Sequence, residues 1–169
     1  MSLLDMLKQY AGGTTPTSDA EVHQHFDEVS QSVPQNEMAS ALSHAFRSDQ
    51  TPEFGQMISS MFSQSNGEQK AGMLNHLLAS VGPGALAQIP GGSMLSGLLS
   101  GGASQVTPEQ AQNVSPEAVQ QLASRAEQSD PTIVDKASSF YAQHPTLVKA
   151  LGAGVMSIAM AKLARRDAA

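Results

Sequence analysis

Two histidines one residue apart, His23-Gln24-His25, form the pattern in this sequence most suggestive of metal chemistry. Imidazoles grip one ion from a single helix when they stand four residues apart. At a spacing of two they point roughly 200° from each other, so one helix cannot aim both at the same ion. His23 instead precedes Asp27 by four residues, the spacing of a weak pair on a solvent-facing surface. His44, His76 and His144 are isolated. His44 lies beside the apolar run from Leu42 to Phe46, and His76 beside Leu77, so both are expected to be partly buried, hydrogen-bonded structural histidines rather than catalytic bases. His144 precedes Pro145 and reads as the start of a helix.

Other reactive constellations fare no better. No serine sits in a Gly-x-Ser-x-Gly elbow, and no glycine-rich loop ends in the Gly-Lys-Ser/Thr that would cradle phosphates. Gly152-Ala153-Gly154 lacks the preceding strand and the third glycine of a dinucleotide fingerprint. The neighbouring carboxylates Asp27-Glu28 fall on a hydrophilic helix face, where no burial would tune a pKa for acid–base work. The absence of cysteine removes disulfides, thiolate nucleophiles and cysteine-based metal sites together, and fits a reducing compartment. No catalytic, cofactor-binding or metal-ligating residue is therefore assigned, and a non-enzyme is expected. An enzyme or metal protein would have to use His23, His25 or His44 brought together in space with other residues.

The elements that position these residues are helical. Ser18-Asp19-Ala20-Glu21 has the form of a capping box, and Ser65-Asn66-Gly67-Glu68 repeats it. Thr51-Pro52-Glu53, Thr107-Pro108-Glu109 and Ser115-Pro116-Glu117 each place a cap oxygen, then a proline suited to the first helical position, then an acid favoured by the helix dipole; Asp130-Pro131 shortens the same signal. Between these starts the apolar residues keep a helical period: Val22, Phe26, Val29 and Val33; Phe54, Met57, Ile58, Met61 and Phe62; Leu74, Leu77, Leu78 and Val81. No strand-like alternation occurs. The spacing predicts helices near 3–10, 19–31, 35–47, 52–63, 67–81, 116–128, 131–142 and 146–164. With no tryptophan and nine methionines, the core is expected to be aliphatic and adaptable.

The expected architecture is all-α: two small helical modules, 1–81 and 107–169, joined by a Gly/Pro-rich connector at 82–106. The connector is read as flexible, interrupted by a short apolar piece around Met94 to Leu99. Residues 31–49 can be laid on 112–130, and 52–71 on 131–150, with "SDQTPEFGQMISSMFSQ" on "SDPTIVDKASSFYAQ". Either an internal duplication or chance in a chain rich in Ser, Gln and Ala produces such matches.

The net charge is −6, and the first module holds the acidic excess, so no basic face is available for nucleic acid and none is expected as a partner. The N-terminus shows no secretory signal, and the cytoplasm is the expected location, with membrane association as an alternative. That alternative comes from "HPTLVKALGAGVMSIAMAKLARR", the stretch from His144 to Arg166. Its uncharged part, 150–161, is too short to cross a bilayer, which takes about 20 apolar residues. Leu147, Leu151, Val155 and Ile158 make one stripe of large side chains, and Ala150, Gly154, Ser157 and Ala161 a stripe of small ones. Three roles fit such a helix: the centre of a bundle, a self-association surface, or an interfacial helix with Lys162, Arg165 and Arg166 against anionic headgroups. Leu147, Leu151, Gly154, Val155, Ile158, Lys162, Arg165 and Arg166 are the candidate interaction residues, for a second copy of the chain, another protein or an anionic membrane surface.

The opening "MSLLDMLKQYAGG", followed by Gln- and Ala-rich short helices and Gly-rich breaks, resembles the YidB-like group of uncharacterised bacterial proteins over the first eighty or so residues. The resemblance implies a small bacterial all-helical protein of unknown function and carries no functional residue across. The reading that results is an interaction or self-assembly protein.

Overall fold

Helix starts follow the local chemistry of the sequence, with instructive exceptions. In the computed structural model, which describes residues 2–12, 18–82, 86–89, 92–100 and 105–167, the regular structure is helical and no strand occurs among the described residues. The helices are α1 (Leu3–Ala11), α2 (Asp19–Ser32), α3 (Gln35–Arg47), α4 (Phe54–Gln64), α5 (Gly67–Val81), α6 (Gly92–Ser100), α7 (Pro108–Ala111), α8 (Pro116–Ser129), α9 (Ile133–Ala142), α10 (Pro145–Val148) and α11 (Ala153–Asp167). The fold is all-α, as the capping and periodicity require.

Ser18, Thr107 and Ser115 cap α2, α7 and α8 through their hydroxyls, accepting from the amides of Glu21, Gln110 and Ala118. Thr107 and Gln110 close a full capping box. Two expected caps are corrected. At α5 the cap is Asn66 rather than Ser65: its side chain accepts from the Gln69 amide at 2.9 Å while the Gln69 side chain accepts from the Asn66 amide at 3.0 Å. At α4 the Thr51 hydroxyl does not cap; it donates back to the Ala45 carbonyl at 2.7 Å and the Ser48 carbonyl at 2.8 Å, adding to the bonds those carbonyls accept from the Ser48 and Thr51 amides where α3 ends.

The chain divides into two compact units, residues 1–51 with 138–169, and 52–137. This division cuts across the sequence-order scheme of 1–81, 82–106 and 107–169. In unit 1, α11 packs against α1, α2 and α3. Val155, Met156, Ala159, Met160, Leu163 and Ala164 on α11 are buried, as are Met6, Leu7, Phe26, Leu42 and Phe46 on the helices it packs against. The Lys149 ammonium meets the Asp27 carboxylate at 2.5 and 2.6 Å, tying the turn before α11 to α2.

In unit 2, α4 lies on α8, and α5 on α7 and α8. Gly55 permits the first contact: a β-carbon there would sit 2.6 Å from the Gln120 carbonyl and against the Ser124 hydroxyl. The segment expected to be a connector supplies α6, and Leu86, Ile89, Leu95 and Val106 are buried. Val106 is held by Asn75, whose amide side chain accepts from its N–H at 2.8 Å and donates to its carbonyl at 3.4 Å.

The expected continuous helix over 146–164 is also corrected. After α10 come a 3-10 turn (Lys149–Leu151) and then Gly152 at φ +90°, a conformation that glycine adopts without a β-carbon penalty. The helical phase restarts at Ala153.

Candidate functional site

Helix phase decides which side chains of unit 1 reach the surface. On α3, burial of Met38, Ala41, Leu42, Ala45 and Phe46 turns His44 and Arg47, three residues apart, toward solvent. On α11, the core face leaves Gly154, Ile158, Ala161 and Arg165 as an outward stripe at steps of four, three and four. Gly154 and Arg165 are exposed, and Ile158 and Ala161 half-buried.

These two faces and the end of α1 border a groove of about 560 Å³, lined by Tyr10, His44, Arg47, the turn Ser48-Asp49-Gln50, and Ser157, Ile158, Ala161 and Arg165. Tyr10 is fixed from behind. Its hydroxyl lies 2.9 Å from Nδ1 of His25 on α2 and shares a hydrogen bond with it, the rings meeting edge-on. Burial, with a smaller contribution from the Glu21 carboxylate, pushes the Tyr10 phenol up to about 12. The Arg47 guanidinium donates to the Ser43 hydroxyl one turn earlier. Arg165 makes no hydrogen bond or ion pair among the described residues. Among the described residues the groove thus offers cationic forks, an imidazole, hydroxyls and a small apolar strip, with the Asp49 carboxylate as the one acidic side chain.

Of the sequence-derived candidates, Ile158 and Arg165 meet in this groove. Leu147 and Val155 are buried, so the large-residue stripe is not a continuous free face. Leu151 and Lys162 are half-buried, Gly154 is exposed, and the side chain of Arg166 lies outside the described residues. His44 and His76 are exposed rather than partly buried, because each occupies a helix position turned away from its apolar neighbours. His25 is engaged by Tyr10, and among the described residues no group of three or more His, Asp or Glu is arranged to hold a metal ion. No described helix is long and apolar enough to cross a membrane.

Sequence reasoning missed Tyr10, Arg47 and Asp49. The spacing of His44 and Arg47 opposite the apolar stripe of α3 was the available signal; nothing local connects either to Arg165. Comparison of the chain with models of protein families, with curated proteins and with solved structures gives no match.

Proposed function

We propose that this chain is a non-enzymatic helical interaction protein that associates with a second copy of itself through the outward face of its C-terminal helix. The observation that carries the reading is the stripe Gly154, Ile158, Ala161 and Arg165, left over once the core face of α11 is packed. A β-carbon at Gly154 would have nothing within 4 Å, so another helix has room to approach there. Leu4 on α1 of the same unit adds a large apolar side chain that is 45% exposed.

The test is light scattering of the full chain over a wide concentration range, alongside Ile158→Glu and Gly154→Leu. The wild type is expected to exceed the monomer mass increasingly with concentration. Both variants are expected to return the monomer mass with unchanged helicity. A monomer mass for the wild type throughout the range overturns the proposal.

A further inference from the structure

We infer that the groove of unit 1 is a binding site for an oxyanion, of phosphate type, on a compact ligand with a short apolar portion. The volume of about 560 Å³ falls within the roughly 300–1,000 Å³ of small-molecule sites. Arg47 ends α3 and Arg165 lies in the last turns of α11, and both line the same opening. A guanidinium presents a planar fork that matches the oxygens of a phosphate or carboxylate, and it stays charged at any working pH. Arg165 is exposed with no partner among the described residues, so its donors are available. Arg47 is steadied by interactions that include Ser43, so it contributes a fixed positive charge at the groove more than a free set of donors.

The other lining groups favour the same ligand. The Ser157 hydroxyl and the His44 imidazole supply further donors, while Ile158 and Ala161 offer hydrocarbon for a short alkyl segment. Asp49 opposes an anion: with neutral histidine the two arginines and one aspartate among the described lining residues sum to +1. That cation is set in a chain of net charge −6, which repels anions generally. An anion that binds is therefore expected to do so locally, through these side chains. The site shares Ile158, Ala161 and Arg165 with the self-association face, so a second copy and an anion would compete there; self-association is read as mass without added phosphate, and anion binding at individual residues.

The experiment titrates the full chain with inorganic phosphate, and separately with butyl phosphate, against chloride at matched ionic strength. Amide and arginine Nε–H resonances are followed by NMR. Saturable shifts centred on Arg47, Ser157, Ala161 and Arg165 are expected, with butyl phosphate binding several-fold more tightly. Arg165→Gln should weaken binding about tenfold, the scale of one charge-assisted hydrogen bond. Asp49→Asn should tighten it several-fold. Arg165 is exposed, so the variant is expected to keep the wild-type helicity, checked by circular dichroism. A parallel arm measures co-sedimentation with phosphatidylcholine vesicles, with and without phosphatidylglycerol. Shifts with free phosphates but no vesicle binding assign a soluble ligand. Vesicle binding that needs phosphatidylglycerol and is lost in Arg165→Gln assigns a lipid headgroup. Absence of both, or binding unchanged in Arg165→Gln, overturns the inference.

Discussion

Two glycine-to-alanine substitutions, at Gly55 in α4 and Gly97 in α6, separate the intrinsic cost of glycine from its packing role. In a helix interior alanine is favoured over glycine by roughly 0.5–1 kcal/mol. At Gly97 a β-carbon would have nothing within 4 Å, so Gly97→Ala should gain stability by about that amount. At Gly55 the same β-carbon would lie 2.6 Å from the Gln120 carbonyl, well inside ordinary contact, and that oxygen belongs to the α8 backbone. A backbone atom cannot rotate aside, so α4 and α8 must separate. Overpacking of this kind costs about 1–3 kcal/mol, which set against the gain in propensity leaves a net loss centred on about 1 kcal/mol and reaching about 2.5 kcal/mol. It would also strain the bond from the Ser59 hydroxyl to the Pro116 carbonyl, 2.9 Å long across the same pair of helices. Urea unfolding monitored by helicity gives the comparison, with the midpoints expected to move in opposite directions. If Gly55→Ala proves as stable as Gly97→Ala, the close approach of α4 and α8 through Gly55 is refuted.

Tyr141 is fully buried and its hydroxyl has no hydrogen-bond partner among the described residues, while burial drives its phenol pKa far upward. Tyr141→Phe removes the unpaired group but keeps the ring, so stability should rise by about 1 kcal/mol, whereas Tyr141→Ala should lose about 3–5 kcal/mol. A denaturant midpoint lowered in Tyr141→Phe would show that the hydroxyl is paired in solution. At the start of α9, hydrogen bonds from Thr132 first, then Lys136, hold the Asp130 carboxyl below the ordinary aspartate value of 3.8. Because the folded-state pKa is the lower one, the contribution is present above the unfolded-state pKa and is lost as pH falls through the folded value. Carbon-13 titration of the Asp130 carboxyl should give a midpoint below 3.8 that moves up in Thr132→Val; a wild-type midpoint at or above 3.8 would be inconsistent with these bonds.

How much of this fold was legible depends on the range of the interaction that decides each feature. Thr107 and Ser115 cap where expected because a cap is settled within four residues, all adjacent in sequence. The buried stripe of α4, Phe54 to Phe62, was legible for the same reason: its period is local and its opposite face polar. Thr51 misleads because a hydroxyl has more than one acceptor within reach, and the carbonyls ending α3 take it. The face of α11 was illegible for another reason. A helix apolar on nearly every side carries no phase of its own, and Met156 and Met160 enter the core only because α1, α2 and α3 stand on that side.

Gly152 converts that ambiguity into a surface. Read as one helix, the segment sets Leu147, Leu151, Val155 and Ile158 in a single line. The turn at Lys149–Leu151 and the positive φ of Gly152 break that phase, so Leu147 and Val155 are buried while Ile158 remains half-exposed. The restart also places Arg165 on the lining of the groove that Arg47, more than a hundred residues earlier in the chain, lines as well. Neither arginine has a sequence pattern that announces the other. They converge because α11 returns to the helices at the start of the chain, so the same packing that fills the core of unit 1 also gathers the polar side chains of its groove.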